Sequence, residues 1–231
     1  MEWQFSEERP LRVFEAFAGY GSQAMALRNI GVPHRVVGIS EIDPWAIKAY
    51  MAVHGETRNY GDIAKMDWDE VEDFDLLTWS SPCQDFSNAG LQKGGEEGSG
   101  TRSSLLWEVR RPIAAKKPRW VIFENVKGFV SGKNMGEFRK LYEYLSGEGY
   151  GVFAKVLNAK NYGVPQNRER CFIVAIQGDT WYNFPQPREL TVSLMDLLED
   201  KVAEKYYLDQ ARVDKFISEL PKEKLAELEN A

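Results

Sequence analysis

Short apolar runs alternate with longer stretches of helical periodicity from about residue 11 to residue 177. Leu11-Arg12-Val13-Phe14-Glu15-Ala16-Phe17 reads as a first strand, and Ser22 to Ile30 as a helix. Val36-Val37-Gly38-Ile39 predicts a second strand. Pro44 to Val53 predicts a helix with proline at its first position, where the missing N–H leaves no bond unmade. A short strand is expected before Asp62. Phe74 to Trp79, Trp120 to Phe123, the run around Val156 and Cys171 to Ile176 continue the series, with helices near 104–115 and 136–146. This rhythm predicts an α/β fold with a doubly wound, mainly parallel, Rossmann-like sheet.

Two segments break the rhythm. Residues 88–104 carry Gly90, Gly94, Gly95, Gly98 and Gly100. They read either as a surface loop or as a hinged lid, since glycine permits the backbone changes of a closing loop. After Gly178 comes a proline-rich stretch, Phe184-Pro185-Gln186-Pro187, and then a charged helix-like end from Asp209 to Ala231. The expected organisation is a domain over 1–178 and a charged extension over 179–231.

Composition narrows the class. The chain has 231 residues, 43% hydrophobic and 28% charged, as a soluble globular protein does. No apolar run approaches the ~20 residues of a membrane span, and the acidic start does not resemble a secretory signal, so a cytoplasmic protein without a membrane partner is expected. Two cysteines and two histidines make neither a disulfide framework nor a metal site, so no metal is expected. A net charge of −6 excludes a domain that grips nucleic acid over a broad basic face. Any such contact must be local, or completed by another domain or chain.

The chemistry-bearing residues lie at the ends of the predicted strands, where open α/β sheets place their sites. Phe17-Ala18-Gly19-Tyr20-Gly21-Ser22 joins the first strand to the first helix, and glycines there either let a ligand approach or simply make a tight turn. Glu41 ends the second strand ~20 residues on, where a carboxylate accepts ribose hydroxyls. Asp62 and Ile63 offer a carboxylate and an apolar side to an adenine ring, although Asp62 serves equally as a helix N-cap. The unclear third glycine disfavours a nicotinamide dinucleotide and favours a nucleoside without a pyrophosphate. Cys83, between Pro82 and Gln84, follows the third long strand. Glu124-Asn125-Val126 ends the next. Gln166-Asn167-Arg168-Glu169-Arg170 precedes the last, and reads either as a substrate anchor or as a surface ion-pair cluster.

In order and spacing these motifs resemble those of the DNA cytosine-5 methyltransferases of bacterial and phage type. The likeness runs over about residues 11–200 and includes Leu157-Asn158-Ala159 and Tyr162-Gly163-Val164-Pro165. Ser22 departs from the usual double glycine. The resemblance implies the S-adenosylmethionine-dependent methyltransferase fold, with DNA as partner and S-adenosylmethionine as cofactor. It implies that Cys83 adds as a thiolate to C6 of a flipped cytosine, because C5 is a poor nucleophile until C6 is attacked. Glu124 would hydrogen-bond N3 and the exocyclic amine, and Arg170 would hold the carbonyl. Arg168 would support the site or a phosphate, and Asn125 would fix the Cys83 loop. Phe17, Gly19, Tyr20, Gly21, Glu41, Ile42, Asp62, Ile63, Pro82 and Leu105 are the implied cofactor contacts; Gln84, Ser87 and Arg102 are the implied DNA contacts.

Members of that family continue into a target-recognition domain, for which residues 179–231 are too few and too charged. The expectation is therefore the catalytic half of a split enzyme, served by a separate recognition subunit, or a truncated one, in a bacterial or phage-infected cell. The alternatives are a non-catalytic cofactor-binding regulatory subunit and a tRNA cytosine-5 methyltransferase.

Overall fold

Six strands form one sheet in the order β2-β1-β3-β4-β6-β5. They are β1 (Leu11–Ala16), β2 (His34–Ser40), β3 (Leu76–Trp79), β4 (Trp120–Val126), β5 (Tyr150–Asn158) and β6 (Glu169–Gln177). The computed structural model that shows this describes residues 4–82 and 102–221. β1 pairs in parallel with β2 and β3, and β3 with β4; β6 pairs antiparallel with both β4 and β5. Five strands thus run one way and β6 alone runs against them. The central strands are apolar almost without a break because both their faces are covered: Val13, Phe14, Leu77 and Val121 are fully buried.

The reversed strand decides where the site lies. Residues that precede a parallel strand lie at the edge of the sheet away from the ligand crevice. Those that precede β6 lie at the crevice edge, level with the carboxyl ends of β1, β3 and β4. Val126 is paired with Arg170 and Glu124 with Phe172. Arg170 and Phe172 are two residues apart and share a face, so the register brings Arg170 onto the Glu124 side of the sheet.

Helices α1 (Ser22–Asn29), α2 (Pro44–His54), α3 (Arg110–Lys116) and α4 (Met135–Gly147) connect the strands. Asp43 caps α2, accepting the N–H groups of Trp45 and Ala46 ahead of Pro44 at the first position. The helix expected over 104–115 is divided into a 3-10 segment, Arg102–Val109, and α3. Pro112 accounts for this, because its ring is tolerated only in a first turn, and α3 starts two residues before it. The strand expected before Asp62 is reduced to one bridge, Ile39 to Asn59. There the Asn59 side chain takes the Glu41 and Gly61 N–H groups, so side-chain bonds replace a ladder.

The chain divides into two compact units, Met1–Leu190 and Thr191–Ala231. Residues 179–190 are held to the first by specific contacts: Arg188 donates to the Tyr162 carbonyl, the Tyr162 hydroxyl donates to that of Pro185, and Trp181 meets Phe153 edge-on. The second contains α5 (Gln210–Ser218), capped by Asp209, and among its described residues no side chain is buried. Among the described residues no helix is long and apolar enough to cross a membrane.

Candidate active site

A cleft of about 800 Å³ opens at the crevice edge. One wall is the turn after β1 with the start of α1, namely Phe17 to Tyr20, Ser22, Gln23 and Ala26. The other is Glu124 with Arg168, Arg170 and Phe172, and residues from Leu157 to Gln166 complete it. Glycine turn, carboxylate and arginines, far apart in sequence, therefore share one space.

The turn is built with left-handed backbone. Phe17 has φ 55°, Gly19 57° and Gly21 81°. Phe17 is not glycine, and its ring is held edge-on against buried Trp79, with centroids 5.2 Å apart. Gly21 has no freedom to change. A Cβ there would lie 2.3 Å from His54 Nε2 and 2.7 Å from the Tyr50 ring. The sequence pattern missed the frame behind this contact. Glu15, fully buried on β1, accepts the Ala24 N–H at 3.0 Å and the Tyr50 hydroxyl at 2.6 Å. Tyr50 stacks against His54, whose Nε2 lies 3.1 Å from the Tyr20 carbonyl oxygen. Burial pushes the Glu15 carboxyl above its ordinary pKa, against the pull of Tyr50 and the Ala24 amide. An acid inside an apolar strand was the one signal that could have found it.

Glu41 joins the turn to β2. Its Oε2 accepts the Gly19 N–H at 2.9 Å, and its Oε1 accepts those of Ile42 and Asp43. A carboxylate has about four acceptor positions, so one remains on Oε2 for a hydroxyl donor, as a ribose would need. Ile42 is 71% exposed beside it, a free apolar surface of the kind an adenine covers. Asp62 caps the turn Ile63–Lys65 by accepting the Ala64 N–H, and Ile63 is buried in the core. Leu105 is half-buried against that core, and Pro82 is half-buried at the end of the described β3 segment.

At the far wall, Arg170 Nε forms an ion pair with Glu124 Oε1 at 2.9 Å, and Nη1 donates to the Glu169 carbonyl at 2.8 Å. Lys127 in turn pairs with Glu169. Beyond that ion pair and that hydrogen bond, the Arg170 guanidinium and the second oxygen of Glu124 have no partner among the described residues. Arg168 lines the same cleft, its backbone fixed by Asn158 Oδ1. Asn125 is buried, its Oδ1 on the Val126 N–H and its Nδ2 without a partner among the described residues. Cys171, opposite Asn125 in the ladder, is a buried thiol pushed up to about 12 by burial and by Glu124. Cys83, Gln84 and Ser87 lie outside the described residues. Arg102 begins the 3-10 segment at Arg102–Val109. Among the described residues no cluster of three or more metal-ligating side chains occurs.

Comparison with known proteins agrees with this architecture. The model of the family described as C-5 cytosine-specific DNA methylase matches residues 11–229. The type II methyltransferase M2.ScrFI of Lactococcus lactis subsp. cremoris is 38% identical over 88% of this chain and 71% of its own length. The orphan methyltransferase M.Rho11sI of Bacillus phage rho11s is 38% identical over 93% of this chain and 49% of its own. The chain thus spans only about half of that second relative. In fold, it superposes on the S. pombe Dnmt2 methyltransferase with a TM-score of 0.71 at 22% identity, covering 92% of this chain and 67% of that one. The Entamoeba histolytica methyltransferase EhMeth gives 0.76 at 19% identity, covering 90% and 66%.

Proposed function

We propose that this chain, which belongs to the C-5 cytosine-specific DNA methylase family, transfers a methyl group from S-adenosylmethionine to C5 of cytosine in DNA. The observation that carries the reading is the Glu124–Arg170 pair, set in one cleft with the glycine turn. The pair presents a free carboxylate oxygen beside free guanidinium N–H groups. Cytosine presents the complement along one edge: an amine that donates, and a carbonyl that accepts.

The residues divide the work. The Glu41 carboxylate and the Gly19 turn hold the nucleoside part of the cofactor, with Phe17, Tyr20 and Ile42 as its apolar surroundings. The bound cofactor supplies an electrophilic methyl group on a sulfonium. Cys83, next in sequence after Pro82, adds its thiolate to C6 of the base. Glu124 then meets the ring nitrogen and amine, and Arg170 meets the carbonyl where negative charge develops, so C5 becomes the nucleophile. Loss of the C5 proton and expulsion of Cys83 restore the aromatic ring and the free thiol. A base within a duplex cannot enter such a cleft, so the cytosine is taken out of the stack. Asn125, its amide nitrogen without a partner among the described residues, steadies the segment that carries Cys83. Arg168, with Gln84, Ser87 and Arg102, meets the surrounding phosphates.

The test is transfer of a labelled methyl group from S-adenosylmethionine to unmethylated DNA, followed by identification of the modified nucleoside. The expected product is 5-methyldeoxycytidine, absent with Cys83→Ser. Label on RNA alone, or on an exocyclic nitrogen, would reject the assignment.

A further inference from the structure

A second cavity, of about 730 Å³, opens at the opposite edge of the sheet, where β1 to β4 begin. Four arginines line it, Arg9, Arg12, Arg35 and Arg119, against two acids, Glu8 and Asp75. This local excess of positive charge lies in a chain whose net charge is −6. Arg12 and Arg35 are direct neighbours across β1 and β2, an arrangement that like charges disfavour.

Ion pairs occupy only two of the four. Arg12 forks onto Asp75, with Nε to Oδ2 at 3.0 Å and Nη2 to Oδ1 at 2.8 Å, and the Arg12 backbone N–H also takes Oδ2. Arg35 forks onto Glu72 in the same way. Both carboxylates are thereby engaged, and Glu8 is exposed. Arg9 donates to the Gln4 carbonyl, and the Arg119 guanidinium lies 4.5 Å over the Trp120 ring. Among the described residues neither Arg9 nor Arg119 forms an ion pair, and both are exposed. A guanidinium carries five N–H groups, so most of these donors have no acceptor among the described residues.

Donors in this fork geometry suit phosphate, which a guanidinium meets with two parallel N–H groups. The arginine positions run from β2 to β4, three strand spacings or about 14 Å. One phosphate is too short to meet such a row, whereas a polyphosphate chain with a nucleoside attached can span it. The cavity has the size of a small-molecule site. An aromatic pair, Phe5 edge-on to Trp120 with centroids 5.9 Å apart, lines the same space. Guanidinium groups beside aromatic rings serve the two halves of a nucleotide, phosphate and base. We propose that this cavity binds a nucleoside polyphosphate, its base against Phe5 and Trp120 and its phosphates on Arg9 and Arg119. The site shares no residue with the cleft, from which the six residues of β1, about 20 Å of strand, separate it.

Calorimetry of the full chain with ATP tests this. Wild type should bind ATP about 10-fold or more tightly than either tripolyphosphate or adenosine, because only ATP engages both the arginines and the aromatic pair. Arg9→Ala and Arg119→Ala should each weaken ATP binding about 10-fold. Both positions are exposed, so the melting temperature of the free chain should fall by no more than about 2–4 °C. Glu41→Ala, in the cleft, should leave ATP affinity within about twofold. Affinity lost with Glu41→Ala and kept in both arginine variants would put the nucleotide in the cleft and overturn the site. Tripolyphosphate that binds as well as ATP would reduce it to a bare anion site and overturn the nucleotide. A single-stranded oligodeoxynucleotide held through Arg9 and Arg119 more tightly than ATP would do the same, and so would the absence of any binding at millimolar ATP.

Discussion

At the scale of single residues, two acids stand in opposite surroundings, Glu124 in the cleft and Glu15 behind the glycine turn. Glu124 is half-buried against a guanidinium, and the proposed function gives it a task in the reaction. Glu124→Gln should slow methyl transfer by about 100-fold, within the usual range for a group that handles a proton or developing charge, with DNA affinity changed little. Single-turnover rates and a DNA titration measure the two separately. Glu15 is fully buried and its folded-state pKa is raised by burial. The native protein thus holds that proton to higher pH than the unfolded chain. Its contribution is full below the unfolded value of about 4.3 and is lost as pH rises through the folded one. Glu15→Gln has no such slope. Its melting temperature should gain on wild type as pH rises above the ordinary carboxylate range, and a difference that stays flat would mean that Glu15 does not titrate there. Motifs in the sequence single out Glu124 and Arg170, which the structure pairs in one cleft. The sequence did not show Glu15, Tyr50 and His54 as a frame, because their contacts join β1, α1 and α2 through space.

At the scale of elements, hydrophobic rhythm reveals strands and helices but not their direction. The runs at Leu11, Val36, Leu76, Trp120 and Cys171 all became strands. That β6 turns against its neighbours was not legible, since an apolar run reads the same both ways. Yet this reversal brings Arg168 and Arg170 to the crevice. Likewise the run near 104–115 reads as one helix, because the 3-10 segment before α3 shows no period of its own. The turn after β1 carries the firmest prediction at this scale. Gly21→Ala places a methyl group against His54 and Tyr50 with a left-handed backbone. Strain and overpacking together should cost about 2–4 kcal/mol. For a chain of this size that lowers the melting temperature by about 5–15 °C. A melt within a degree or two of wild type would show that α2 moves aside freely.

At the scale of the whole molecule, the sheet brings together what the chain separates. The glycine turn near residue 19 and the arginines near 170 line a single cleft. The order β2-β1-β3-β4-β6 sets out in space Glu41, the glycine turn, the β3 end, Glu124 and Arg170. The fold class was legible because alternation of strands and helices leaves few ways to cover both faces of a sheet. The division at Leu190 was not, because Arg188 and Trp181 hold the proline-rich stretch by contacts that composition does not announce. Cofactor binding belongs to this scale, since Glu41 reaches the turn across two strands. Glu41→Ala should weaken S-adenosylmethionine binding by about 10-fold or more while 5-methylcytosine remains the only product. Unchanged affinity in calorimetry would mean that the nucleoside lies elsewhere.

The most direct measurement is capture of the covalent intermediate on DNA that carries 5-fluorocytosine. Once a methyl group joins C5, fluorine leaves no proton to remove, and Cys83 cannot be expelled. The account predicts a complex that resists denaturation, requires S-adenosylmethionine, and yields on digestion a peptide whose added mass sits on Cys83. An adduct on another residue, or methyl transfer to ordinary cytosine that persists with Cys83→Ser, would contradict it.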